Sequence, residues 1–387
     1  MNGAWDGLFA RNGELHRGRV HWSNGRITHV ETAVTWSNWQ EVEAEAKQAP
    51  VLVPAFVDVQ INGGFGVGVE SGAPGFDALA RGLPEHGVLR FAPTLVSSPA
   101  PTYAWICEEH RAWANQIPRQ GHAISLGLHL EGPLLSTMRN GAHCVESIAS
   151  ASFDVIHRAL ASGEVRLITC APEREGVVDA ISSWSRQEVV VALGHSRATS
   201  EEAQLAVERG ATLFTHLFNA MRPFHHRDPG LVAVGLCDER AYISLIADGV
   251  HVDPLAACVA IRARGSDRTI LISDASPAAG APAGPVWLGS VESYSDGKSV
   301  RMADGTLAGS ALFVDGMVAS ARAWPEVGLA KAVAMASETP AALLGATEWG
   351  KIEVGRLADL VVLGPLATVE RVLQSGEEIF EGRGSCR

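Results

Sequence analysis

Apolar and β-branched residues gather in eight short runs through the middle of the chain, each ending in polar residues: 51–58, 88–94, 123–131, 165–172, 189–195, 212–216, 242–248 and 269–274. Runs of this length without strict alternation predict strands buried on both faces, as in a parallel sheet. Helix-compatible stretches lie between most of them. Residues 200–209 are typical, opened by Ser200 and closed by Gly210 as helix caps require. Eight strands alternating with helices predict an α/β fold, a (β/α)8 TIM-like barrel. The pattern leaves an open, doubly wound sheet as the alternative; the count of eight favours closure. Residues 276–310, rich in Ala, Gly and Pro, predict a long irregular excursion after the eighth strand.

The two ends of the chain have another rhythm. Residues 14–22 alternate roughly, Asn24-Gly25 marks a hairpin turn, and 26–30 resume the pattern. Residues 357–363 and 369–373 are also strand-like, with Gly364-Pro365 between them. Together they predict a small β-sandwich domain formed by both termini (1–52 and 350–387), with a catalytic barrel at 53–349 inserted.

A chain of 387 residues has room for a barrel and a small companion. Hydrophobic residues at 47% and charged residues at 19% argue against dominant disorder. No apolar run is long enough to span a bilayer, and the first residues lack the features of a signal peptide. Cys107, Cys144, Cys170, Cys237, Cys258 and Cys386 form no CxxC pair, which predicts reduced, mostly buried thiols in a cytoplasmic protein. The net charge of −12 disfavours nucleic acid or an anionic membrane as a partner. It also means that an anionic small substrate needs local basic groups.

In a barrel, the C-terminal ends of the strands converge on one mouth. Here those ends carry Asp58, Gln60 and Asn62, then Glu131, His195, His216, His251 and Asp274. Two imidazoles and a carboxylate, from His195, His216 and Glu131, suit one divalent ion, Zn2+ or Fe2+. Three protein ligands leave a position for water, which such an ion acidifies. Asp274 is a further carboxylate able to move a proton from that water to a leaving group. Singly, each residue also reads as a solvated strand end or a hydrogen-bonded core histidine. Their shared level on separate strands favours a site.

The same segments resemble the N-acetylglucosamine-6-phosphate deacetylase family of the amidohydrolase superfamily. They are Asp58-Val59-Gln60-Ile61-Asn62-Gly63, His129-Leu130-Glu131-Gly132-Pro133, Gly194-His195-Ser196, Thr215-His216-Leu217-Phe218-Asn219-Ala220-Met221, Asp248-Gly249-Val250-His251 and Ser273-Asp274-Ala275. The match runs in order over nearly the whole chain, and 350–361 resembles the superfamily's more widely shared return to the β-domain. Most amidohydrolases carry His-x-His on the first strand, where this chain has Gln60-Ile61-Asn62. An amide oxygen is a poor ligand beside imidazole, so one ion is expected and Gln60 and Asn62 shape the pocket by hydrogen bonding.

The resemblance implies hydrolysis of N-acetyl-D-glucosamine 6-phosphate to D-glucosamine 6-phosphate and acetate in amino-sugar catabolism, with Asp274 and His143 catalytic. It implies that His143, beside Ala142, contacts the sugar amide. Asn219, the Ala220 backbone and His251 would hold the phosphate, while Leu307, Ala308 and Gly309 form a wall. Arg227 would reach the phosphate of a neighbouring subunit across a homodimer, and its fork suits that anion. His225 and His226 are left unassigned. Two other readings stay open: a deacetylase of another N-acetyl hexosamine, and a non-catalytic scaffold on the same fold.

Overall fold

The computed structural model describes residues 2–34, 39–118 and 120–382. Eight parallel strands follow one another in space in the order of the sequence: Phe56–Ile61, Val88–Leu95, Leu128–Glu131, Val165–Cys170, Val190–Leu193, Ala211–Phe214, Tyr242–Leu245 and Thr269–Leu271. Most of their residues are fully buried, because helices cover the outside and side chains fill the inside. The first and eighth strands meet through a parallel bridge between Ile61 and Ala275. There the Asn62 N–H donates to the Ala275 carbonyl at 2.8 Å and the Asp274 N–H to the Gln60 carbonyl at 3.0 Å. The barrel therefore closes through residues of the polar mouth.

A seven-stranded sheet draws on both ends of the chain, in the spatial order Glu377–Glu381, Val369–Gln374, Leu360–Leu363, Val51–Pro54, Asn2–Arg11, Glu14–Ser23, Arg26–Val34. The hairpin turn has Asn24 at φ 51° and Gly25 at φ 78°, the positive pair that a type I′ turn demands. The first apolar run proves to be two strands. Val51–Pro54 pairs with Leu8 and Phe9 and with Leu360–Leu363, whereas Phe56–Ile61 enters the barrel. Both halves are buried on both faces, so hydrophobicity alone does not reveal the switch. The third run is also interrupted, at Gly127, whose φ is 106° and where a Cβ would lie 2.9 Å from the Glu164 carbonyl oxygen.

Residues 276–310 differ from the irregular excursion expected. Gly284–Leu288, Val291–Ser295 and Val300–Arg301 form a small antiparallel sheet. Trp287 and Tyr294 point outward, while Val286, Leu288 and Val300 pack with Val96, Ala142 and Ala308 beside the mouth. Alternation over so few residues is easily hidden by flanking Gly and Pro.

Cys107, Cys170 and Cys258 are buried free thiols, Cys144 is partly buried and Cys237 exposed; Cys386 lies outside the described residues. No helix among the described residues is long and apolar enough to cross a membrane.

Barrel and terminal sheet are joined by a buried ion pair. Arg90 of the second barrel strand donates to Asp359 at 2.8 Å, and its guanidinium lies over the Trp349 ring. The other Asp359 oxygen accepts from the Ser375 N–H at 2.8 Å. Removing one partner of such a pair strands a buried charge. Asp359→Ala is expected to lower unfolding stability by about 3–5 kcal/mol, read from the urea midpoint. An unchanged midpoint would show that Arg90 finds water or another acceptor.

Candidate active site

Glu131 is the last residue of its strand, and His195 and His216 each follow theirs by two. Gly194 lets the fifth and sixth strands close up: a Cβ there would sit 2.3 Å from Thr215 Cγ2. Turning the chain at these ends requires unusual backbone, with φ 47° at His195, 30° at His216 and 46° at Asp274. Side chains other than glycine seldom adopt such values, at about 1–3 kcal/mol each. Neighbours hold them there. The Ser136 N–H donates to the His195 carbonyl, and Ser244 Oγ accepts from the His216 N–H at 2.8 Å.

The three side chains point at one another. Glu131 Oε1 lies 2.9 Å from His216 Nε2 and 3.2 Å from His195 Nε2, and the two nitrogens are 3.1 Å apart. All three residues are buried. His195 Nδ1 stands 2.9 Å from the Arg139 carbonyl oxygen. A carbonyl only accepts, so Nδ1 carries the proton and Nε2 offers a lone pair to the centre. Burial pushes the His195 imidazole down to about 4, keeping it in the neutral form a ligand requires. Burial opposes the charge on Glu131, yet the imidazoles around it, His143 foremost, hold its carboxylate well below the usual range. Two nitrogen donors and an anionic oxygen converging at this spacing fit a divalent metal. His216 Nδ1, the ring nitrogen turned away from the centre, is buried and has no hydrogen-bond partner to orient the ring.

His143 fills the side of the site beyond Glu131, its Nε2 3.5 Å from Glu131 Oε2. Its Nδ1 accepts the Ser97 N–H at 3.1 Å. The neutral ring must then carry its proton on Nε2, which faces the centre as a donor.

Asp274 accepts at Oδ1 from Asn62 Nδ2 at 2.8 Å and from Gln60 Nε2 at 3.3 Å. Burial, and next the charge of Glu131, push its carboxyl up to about 6, within reach of both protonation states near neutral pH. Gln60 also donates to Glu131 Oε1 at 2.8 Å, and its oxygen accepts from the Thr215 hydroxyl. With Gln60 oriented by that hydroxyl, its NH2 faces the two carboxylates and offers no lone pair to a second ion.

These groups line a cavity of about 560 Å³. Asn62, Ala142, Asn219 and Ala220 join Glu131, His195, His216, His143 and Asp274 on its walls, as do His251, Leu307 and Gly309. Gln60 lies beneath the wall, and Ala308 is turned into the small cluster under the excursion. Arg227 is exposed outside the lining, its Nη1 3.1 Å from His226 Nε2. His225 and His226 are exposed, with rings 4.4 Å apart.

Several contributors escaped the sequence reading. Ser97 and Thr215 set the orientations of His143 and Gln60, and Asp248 Oδ2 lies 2.6 Å from His251 Nδ1. Asp248 has a signal in its position three residues before His251 at a strand end; Ser97 has none. Arg139 and Arg301, also on the cavity wall, were missed as well.

The amidohydrolase family model matches residues 51–380. The chain is 36% identical to the mouse N-acetylglucosamine-6-phosphate deacetylase over 96% of its length and 93% of that protein's. It is also 36% identical to the N-acetylgalactosamine-6-phosphate deacetylase of Escherichia coli O157:H7, covering 96% and 97% of the two chains. The structure superposes on a Mycobacterium smegmatis N-acetyl-D-glucosamine-6-phosphate deacetylase variant, solved in complex with N-acetyl-D-glucosamine-6-phosphate. That match has a TM-score of 0.86 and 31% identity, and covers 98% of this chain and 99% of that one. The chain belongs to the amidohydrolase family and, within it, to the N-acetylglucosamine-6-phosphate deacetylases.

Proposed function

We propose that the chain hydrolyses N-acetyl-D-glucosamine 6-phosphate to D-glucosamine 6-phosphate and acetate in amino-sugar catabolism. The observation that carries this reading is the opposition, across one cavity, of a proton-accepting Asp274 and a proton-donating His143 Nε2 around the Glu131, His195 and His216 cluster. Those three residues would hold one Zn2+ or Fe2+ per subunit. Such an ion supplies Lewis acidity, lowering the pKa of water and polarising a carbonyl.

The chain's own groups then divide the work. Asp274 takes a proton from the attacking water as its oxygen adds to the acetamide carbon. His143 Nε2–H donates to the carbonyl oxygen as charge builds there, fixed for that task by Ser97. Asp274 passes the proton to the sugar nitrogen as the C–N bond breaks, regenerating the carboxylate. Asn62 and Gln60 hold Asp274 in place throughout. Asn219, Ala220 and His251 face the sugar phosphate, and Leu307 and Gly309 its ring. Arg227, exposed and outside its own cavity, is free to serve the neighbouring site of a homodimer.

The Escherichia coli relative supports a second reading, with N-acetyl-D-galactosamine 6-phosphate as substrate. Acetate release from both epimers, with and without the 6-phosphate, tests the two together. Release is expected from the phosphorylated gluco epimer at the highest kcat/KM. A higher value for the galacto epimer would transfer the assignment, and no release from any would remove it.

A further inference from the structure

A substrate phosphate entering a chain of net charge −12 needs a cation close by. The cavity wall holds two guanidinium groups, on Arg139 and Arg301, and no lysine. Arg301 is exposed on the excursion and already donates to the Gly305 carbonyl at 2.9 Å. Arg139 is different. Its Nε is sealed from solvent and has no hydrogen-bond partner, and no ion pair to it exists among the described residues. Buried polar atoms are nearly always satisfied, so a guanidinium that lines the cavity with an orphan nitrogen and no anionic partner is set for an entering anion.

The backbone around Arg139 is fixed. Ser136 and Arg139 form one turn, with the Arg139 N–H on the Ser136 carbonyl at 3.0 Å. Both ends of that turn are tied to His195: the Ser136 N–H to its carbonyl at 2.9 Å, and the Arg139 carbonyl to its Nδ1 at 2.9 Å. Two residues on, a Cβ at Gly141 would lie 3.1 Å from His195 Cε1 and 3.8 Å from Ala220 Cβ. The loop thus packs between the metal cluster and the Asn219-Ala220 turn. Phosphate is the strongest anion such a fork can meet in this cavity, and guanidinium groups bind it in charge-assisted, two-pronged fashion.

We infer that Arg139 binds the substrate phosphate from within the same chain, adding a cation that does not depend on a partner subunit. This rests on the deacetylase reading. The test compares Arg139→Met and Arg139→Lys with wild type by calorimetric binding of inorganic phosphate, acetate release and ion content. Arg139→Met is expected to weaken phosphate binding and to raise KM for the phosphorylated substrate by about 10- to 100-fold. Its kcat and ion content stay within a few-fold of wild type, and Arg139→Lys recovers part of the loss. Unchanged phosphate binding in Arg139→Met overturns the inference. So does a fall in kcat and ion content at constant KM, which would make Arg139 only a support for His195. If wild type releases no acetate but loses phosphate binding in Arg139→Met, the deacetylase reading fails while the anion site stands.

Discussion

Asp274→Asn is expected to lower kcat by about four orders of magnitude while the purified variant keeps the ion content of wild type. Asp274 is asked to act twice in each turnover, first as base and then as acid, and each proton transfer contributes about 10²–10⁴. Asparagine keeps the shape and an oxygen able to accept from Asn62, which holds Oδ1 at 2.8 Å, so the site should not collapse. It cannot accept a proton. Asp274 stands outside the cluster of Glu131, His195 and His216, which is why ion binding should survive. The measurements are single-turnover acetate release and metal analysis on one sample. Retention of a tenth of wild-type turnover would mean that another group moves the proton, and the division of labour would have to be redrawn. Loss of ion together with turnover would instead make Asp274 a ligand.

The sequence carried the barrel because eight both-face-buried strands have few other ways to satisfy their backbone and cover their faces. The gathering of the candidate site residues was legible in the sequence for a related reason. Glu131, His195, His216 and Asp274 are polar interruptions at the ends of apolar runs, and all line the one cavity. What it did not carry depends on neighbours distant along the chain. The exchange of the first apolar run from sheet to barrel at Ala55, where its N–H bonds Asp359, leaves no mark on hydrophobicity. The proton on His143 Nε2 is dictated by the Ser97 backbone, 46 residues away, and the sense of the Gln60 amide by Thr215, 155 residues away. No periodicity encodes such pairings. Arg139 escaped for another reason: in sequence it is one arginine among polar loop residues, and only its place on the cavity wall with a sealed, unpartnered Nε sets it apart. The positive φ values at His195, His216 and Asp274 were equally hidden, since none is a glycine.

Glu131→Gln is expected to abolish stable ion binding and, with it, activity. Glutamine preserves volume and one oxygen, but it removes the only anionic donor of the three and leaves two neutral imidazoles. Hard and borderline divalent ions depend on that charge. The variant should retain less than about one-tenth of the wild-type ion after dialysis and lose about three orders of magnitude in kcat, the several kcal/mol that Lewis acidity contributes. Stability offers an independent readout. An ion that binds only the folded chain stabilises it by about 2.7 kcal/mol at a hundred times its Kd, so adding Zn2+ or Fe2+ should raise the melting temperature of ion-stripped wild type. Glu131→Gln should show no such rise at the same concentration. The two imidazoles could hold the ion unaided, and a variant that still gains melting temperature with added ion would show that they do. Glu131 would then act by positioning: it lies between His143 Nε2 at 3.5 Å and Gln60 Nε2 at 2.8 Å, and its loss would fall on the donor and on the residue that steadies Asp274. Ion-dependent stability together with lost turnover is the signature of that outcome, whereas loss of both places Glu131 at the metal.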